Sequence, residues 1–179
     1  MTENTKKKSS FIQSEFVKRM LKNVVAVVVT ASLLLNFFTF VVSVVQYYGT
    51  SMQPTLEEGQ ILIVSKISEI ESGDIIAFYY NNKVLVRRVV ATGNQQVFID
   101  VFGNVMVNGK ELDESYIENK TLGQCNLNFP YSVPSGSYFV LGDNREVSMD
   151  SRLEEIGSVS SDRLIGKVVF ATRSLGSIE

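Results

Sequence analysis

Histidine is absent from the chain. That removes the Ser-His-Asp and Cys-His arrangements of hydrolases, and the usual zinc sites with them. Cysteine occurs once, at Cys125, so no internal disulfide can form. No basic stretch interleaved with aromatics follows the first 23 residues, which argues against nucleic acid as a partner. The one loop dense in acidic and amide side chains, residues 142–152, lacks the ligand spacing of an EF-hand. No metal and no cofactor are expected.

Charge is scarce in one place. Residues 24–45 form a block of 22 residues without a charged side chain, Asn36 being the most polar. An α-helix needs roughly 20 such residues to cross about 30 Å of hydrocarbon. Residues 1–23 carry Lys6, Lys7, Lys8, Lys18, Arg19 and Lys22 against Glu3 and Glu15, whereas the remainder is acidic. Positive charge beside a first span holds that end in the cytoplasm. The expected division is a cytoplasmic tail over 1–23, a transmembrane helix over 24–45 and an extracytoplasmic domain over 46–179. Phe11, Phe16, Met20 and Leu21 recur at near-helical spacing, so the helix can extend inward over 11–23, leaving 1–10 as a mobile tail. Tyr47 and Tyr48 are expected as interfacial anchors. A cleaved secretory signal shares the basic start, but its apolar stretch is shorter, and no Ala-x-Ala-like site follows this one.

Beyond Tyr48 the pattern changes to short β-rich segments punctuated by turn residues. Strands are expected over Ile61–Ser65, Ile75–Tyr80, 84–92, 97–101, Val105–Val107, 138–141 and 164–172. Asn81-Asn82 and Asn108-Gly109 read as hairpin turns, since these residues tolerate positive φ. Residues 118–134 lack both periods and read as a long surface excursion. Lys167 and Arg173 break the last apolar run, so no second span is expected. The fold class is mainly β: one N-terminal transmembrane helix followed by an antiparallel sheet or barrel-like domain.

Without histidine, a hydrolase needs another base, and a neutral buried lysine can serve in a Ser-Lys pair. Two segments bear on this. Gly49-Thr50-Ser51-Met52-Gln53-Pro54-Thr55 follows the apolar block directly, although by itself it reads equally as a turn capped by hydroxyls. Gly142-Asp143-Asn144-Arg145-Glu146-Val147-Ser148-Met149-Asp150-Ser151-Arg152 follows a strand, and by itself is equally a hydrogen-bonded structural loop.

Together they resemble the type I signal peptidases. Ser51-Met52-x-Pro54-Thr55 is similar to that family's nucleophile box, Gly73-Asp74 to a further box, and residues 142–152 to the most distinctive one. Order and spacing agree over residues 46–173. The resemblance implies a membrane-bound serine endopeptidase that removes signal peptides from exported preproteins at the bilayer surface. In that mechanism Ser51 attacks the scissile carbonyl and its backbone N–H helps stabilise the oxyanion. Ser148 orients the general base, Asp150 and Arg152 form a supporting ion pair, and Asp143 and Arg145 hold the loop. The family prefers small side chains at the first and third positions before the cut.

One box departs from the pattern. The family's base is a lysine preceding an arginine, whereas Val86-Arg87-Arg88-Val89 puts Arg87 in its position. A guanidinium, with pKa above about 12, does not give up its proton in proteins. Arg87 can hydrogen-bond Ser51 or Ser148 but cannot accept the hydroxyl proton. The usual Pro-Gly-Asp after this strand is also replaced, by Thr92-Gly93-Asn94. Lys83 shares a strand face with Arg87, but four residues span roughly 13 Å; Lys66 is a looser alternative. Signal-peptidase-like proteins with degraded catalytic boxes occur in Gram-positive pilus assembly. The resemblance therefore also implies a second expectation, a catalytically impaired protein that binds pilin subunits or other exported chains.

Overall fold

The computed structural model describes residues 3–172, with side chains from residue 16 onward. The chain divides into two compact units at residues 41 and 42. The first is one helix, α1 (Glu3–Val41), so residues 3–10 are helical rather than an irregular tail. Its apolar part, Phe16–Val41, has 26 residues with a mean hydropathy of 2.4 and none of that window buried. At about 1.5 Å per residue it reaches about 39 Å, enough to cross a bilayer with tilt. Its few polar side chains satisfy themselves on the helix: Thr30 Oγ1 donates to the Ala26 carbonyl at 2.9 Å and Asn36 Nδ2 to the Ser32 carbonyl at 2.8 Å. Such back-bonding hides donors that hydrocarbon cannot solvate.

The second unit is a β domain. Strand β1 (Val42–Gln46) is followed by β2 (Ile61–Ser65), β3 (Ile75–Tyr80), β4 (Lys83–Thr92), β5 (Gln96–Ile99) and β6 (Val105–Val107). Then come β7 (Lys110–Glu111), β8 (Tyr131–Ser132), β9 (Ser137–Leu141), β10 (Val159–Ser160) and β11 (Leu164–Ala171). Seven strands form one antiparallel sheet in the order β1-β2-β11-β3-β4-β9-β10, and four form a smaller one in the order β7-β6-β5-β8. The apolar block of the sequence is therefore divided: residues 24–41 belong to α1, and 42–45 enter β1, where Val44 pairs with Ile63. Tyr47, expected at a membrane interface, is instead buried at 3% exposure in the β-domain core, while Tyr48 is exposed. Arg173, expected to end the last apolar run, lies outside the described residues.

Turn chemistry sets the registers. Asn81 and Asn82 both adopt positive φ and close the β3–β4 hairpin, in which Ile76 faces Arg87 and Ile75 faces Arg88. Asn108 and Gly109 do the same between β6 and β7. Strand β4 ties the core together. It gives Val86 to a cluster around Tyr47, Met52 and Leu62, Val89 to one around Phe78 and Val140, and Val90 and Ala91 to one around Phe139. Burying each such side chain contributes roughly 1.5–3 kcal/mol. Because Val45 of β1 and Val86 of β4 pack in the same cluster, the large sheet curls until these strands approach, although four sheet positions separate them. Residues 118–134 are largely irregular, with β8 as their one short strand.

Candidate active site

The turn bearing Ser51 is held by its neighbours. Met52 is fully buried, Leu56 nearly so, and the Leu56 N–H donates to the Met52 carbonyl at 2.9 Å, making one helical turn. Tyr47 closes the base of this turn: its N–H donates to the Gln60 carbonyl and its own carbonyl accepts the Gly59 N–H. Ser51 is left half-buried at the top.

The 142–152 loop meets this turn through the backbone. The Asn144 N–H donates to the Ser51 carbonyl at 3.0 Å. Gly142 explains the close approach. A Cβ there would lie 2.1 Å from Ser148 Oγ and 2.6 Å from the Ser51 carbonyl oxygen, so only glycine fits between the two serines. The loop is rigid because its charges are buried and paired. Asp150 accepts two bonds from Arg152, both at 2.8 Å, and also the Gly142 N–H at 3.0 Å. Arg152 goes on to cap the Leu122 and Arg145 carbonyls. Arg145 pairs with Glu114, and Asp143 takes a two-point contact from Arg88 at 2.9 and 2.6 Å. Thr55 also donates to Asp143, at 2.5 Å, and Arg88 donates to the Gly73 carbonyl and lies 4.0 Å over the Tyr116 ring. Burial alone would lower the Arg88 pKa, but the hydrogen bonds and charge of Asp143 outweigh it and hold the value above the ordinary one. For Tyr116, burial first and then the Glu114 charge push the phenol well up.

Ser51, Asp143, Arg145, Ser148, Asp150 and Arg152 are thus gathered in one place. Arg87 lies beside them but engages neither serine. Its Nε donates to the Met149 carbonyl at 2.9 Å and one terminal nitrogen to the Val86 carbonyl at 2.6 Å. Burial lowers its pKa, opposed chiefly by the charge of Asp150. Ser148 Oγ is buried and has no hydrogen-bond partner among the described residues. The oxygen nearest Ser51 Oγ by hydrogen bonding is Tyr47 Oη, 3.4 Å away. Lys66 and Lys83 are exposed, and Cys125 is half-buried, its thiol turned to the Leu127 carbonyl at 3.7 Å.

Lys83 instead lines a groove of about 500 Å³ with Val45, Gln46, Tyr48, Val84 and Leu85. Both walls are strand edges. Strand β1 ends the large sheet, and β4 pairs with β9 only from Arg88 onward, so residues 83–87 leave one edge open.

Sequence reasoning missed Tyr47, Arg88, Glu114 and Tyr116. Arg88 was visible in the same box as Arg87. Glu114 lies 31 residues from its partner, and no spacing announces such a pair.

The sequence is similar to proteins of one family. The profile of the family described as "Signal peptidase, peptidase S26" matches residues 17–172. Signal peptidase IB of Staphylococcus aureus strain Mu50 is 32% identical over 176 residues, covering 86% of this chain and 89% of that protein. Signal peptidase I of Bacillus amyloliquefaciens is 36% identical over 160 residues, covering 82% and 80%. A solved signal peptidase I from Enterococcus faecalis V583 is 29% identical with a TM-score of 0.47, covering 57% of this chain and 98% of that one. The chain belongs to the type I signal peptidase family.

Proposed function

We propose that this protein is a membrane-anchored serine endopeptidase that cleaves signal peptides from exported preproteins, with Ser51 as nucleophile. The observation that carries the reading is the Ser51–Gly142–Ser148 contact, and the same domain has an open groove between two strand edges. An extended peptide adds to such edges as a strand, its backbone bonded and its alternate side chains in pockets. The basic flank of α1 supports a cytoplasmic N-terminus and an outer β domain on a single span. Asp143, Arg145, Asp150 and Arg152 act by position, fixing the loop that presents Ser148.

The test uses the full chain in lipid with an exported precursor. Ser51→Ala abolishes cleavage and leaves precursor binding intact; cleavage that survives it would remove the nucleophile assignment. A second reading, peptide binding without cleavage, is favoured by Arg87, whose guanidinium is tied to backbone carbonyls and cannot take a proton. It predicts that only Arg87→Lys cleaves. The unpartnered Ser148 hydroxyl would give that lysine a ready hydrogen-bond partner.

A further inference from the structure

Arg88 of β4 reaches three segments of the site at once. Its guanidinium donates to both oxygens of Asp143, at 2.9 and 2.6 Å, to the Gly73 carbonyl at 2.9 Å and to Thr55 Oγ1 at 3.3 Å. These bonds commit its in-plane donors, and the Tyr116 ring covers one face of the plane, 4.0 Å from the guanidinium carbon. We propose that Tyr116 is a positioning residue for Ser51, acting through Arg88 and Asp143. The segment that leaves the small sheet then belongs to the working site. This deepens the peptidase reading and rests on it.

The path from ring to serine is short. Asp143 accepts the Thr55 hydroxyl at 2.5 Å, and Thr55 ends the segment that carries Ser51. The next residue, Asn144, donates its N–H to the Ser51 carbonyl at 3.0 Å. A shift of Asp143 therefore reaches Ser51 along two routes. The Asp143 side chain is 1% exposed and that of Arg88 12%, so little water competes for their bonds. A flat cation over an aromatic face is attracted by the ring quadrupole, the more so where water is excluded. The ring thus fixes the plane of Arg88, and that plane fixes the carboxylate.

Tyr116 is held from the small sheet. The Leu112 N–H donates to the Val105 carbonyl of β6 at 2.9 Å, and the Ile117 N–H closes a turn on the Glu114 carbonyl at 3.2 Å, with Tyr116 inside it. Burial first, then the Glu114 charge, push the phenol up, so the ring stays neutral beside the Arg88–Asp143 pair. The Tyr116 hydroxyl donates to Glu114 Oε1 at 3.4 Å, which is long for such a bond. The ring face rather than the hydroxyl therefore makes the contact that matters. The groove between β1 and β4 draws no wall from residues 112–117. Loss of the ring misplaces Ser51 without altering the strand edges, so the effect falls on kcat and spares KM.

The experiment places Tyr116→Phe, Tyr116→Leu and Tyr116→Met in the natural sequence and in Arg87→Lys, each full-length in lipid. The substrate is a fluorogenic signal peptide carrying alanine at the first and third positions before the cut. Tyr116→Leu and Tyr116→Met are expected to lower kcat at least about tenfold with KM nearly unchanged, since a small misplacement of a reacting group can cost about 100-fold. Tyr116→Phe keeps the ring and is expected to keep most of kcat. Val97→Ala, in the small-sheet core, is the stability control: its melting temperature falls and its kcat holds. Three results overturn the proposal: Leu and Met variants that cleave like their parent, a Phe variant that loses as much as they do, or a Val97→Ala variant that loses kcat in step with its melting temperature. A loss confined to KM overturns it too. If the natural sequence is inert and Arg87→Lys cleaves, the same comparison is decided in that background. If both parents are inert, the peptidase reading fails and takes the positioning role with it.

Discussion

Arg145 and Glu114 show what a single side chain contributes to this site. Their charged groups are 1% and 0% exposed, and Glu114 Oε2 has no partner of its own among the described residues. Truncating Arg145 to Met would leave a buried carboxylate without a counter-charge, and the Gly142 carbonyl without the Arg145 Nε–H that it now accepts at 3.0 Å. Breaking a buried pair in this way costs about 3–5 kcal/mol. Pairing Arg145→Met with Glu114→Leu removes the stranded charge and is expected to recover most of that loss, as read by urea denaturation. The pair also marks a boundary of legibility. Residues 142–152 were readable because their chemistry is local and dense, whereas Glu114 comes from a stretch with no motif. Tyr47 was misread for a related reason: an aromatic after an apolar run fits an interface anchor, and only tertiary packing turns it inward.

At the scale of elements, strand identity followed from alternation and turn residues where both were present. β2, β3 and β6 run as expected, and the two Asn-based turns adopt the positive φ that their residues allow. β1 was hidden because its valines continue the apolar block without a break, and composition does not tell a strand from the end of a helix there. The two-residue strands β7, β8 and β10 are too short to carry a period. The β5–β6 hairpin offers a test of local electrostatics. Asp100 Oδ1 accepts the Phe102 and Asn104 N–H groups, both at 2.9 Å, while Oδ2 accepts the Asn104 side chain at 2.8 Å. These bonds, the Asn104 side chain foremost, lower the Asp100 pKa below its ordinary value. A carboxylate with a lowered folded-state pKa stabilises the fold above its unfolded value and loses that contribution as pH falls through the folded one. The tip is therefore expected to stay ordered down to about pH 4 and loosen below it. An NMR titration should give the Asn104 and Phe102 amide shifts a shared midpoint under 3.8; a midpoint above that value would contradict the assignment.

At the scale of the whole molecule, the two units call for different solvents. α1 exposes its apolar window, whereas the β unit has three core clusters of its own. A chain beginning at Val42 is expected to keep its β circular dichroism and a cooperative melt without lipid. A chain beginning at Tyr47 loses β1, strips β2 of one neighbour and uncovers the cluster that receives Val45. Its melting temperature should fall by several degrees, or the chain should aggregate. Equal melting of the two would show that β1 is dispensable.

Arg87 of β4 has one more consequence. By bonding the Met149 carbonyl it fastens the strand to the stretch that carries Ser148, and by bonding the Val86 carbonyl it fixes its own direction. Lysine has one nitrogen on a flexible stem and no planar fork. It cannot keep both tethers and also turn toward the serines. An Arg87→Lys variant would therefore trade stiffness for chemistry, its 142–152 loop loosening on warming before the domain melts.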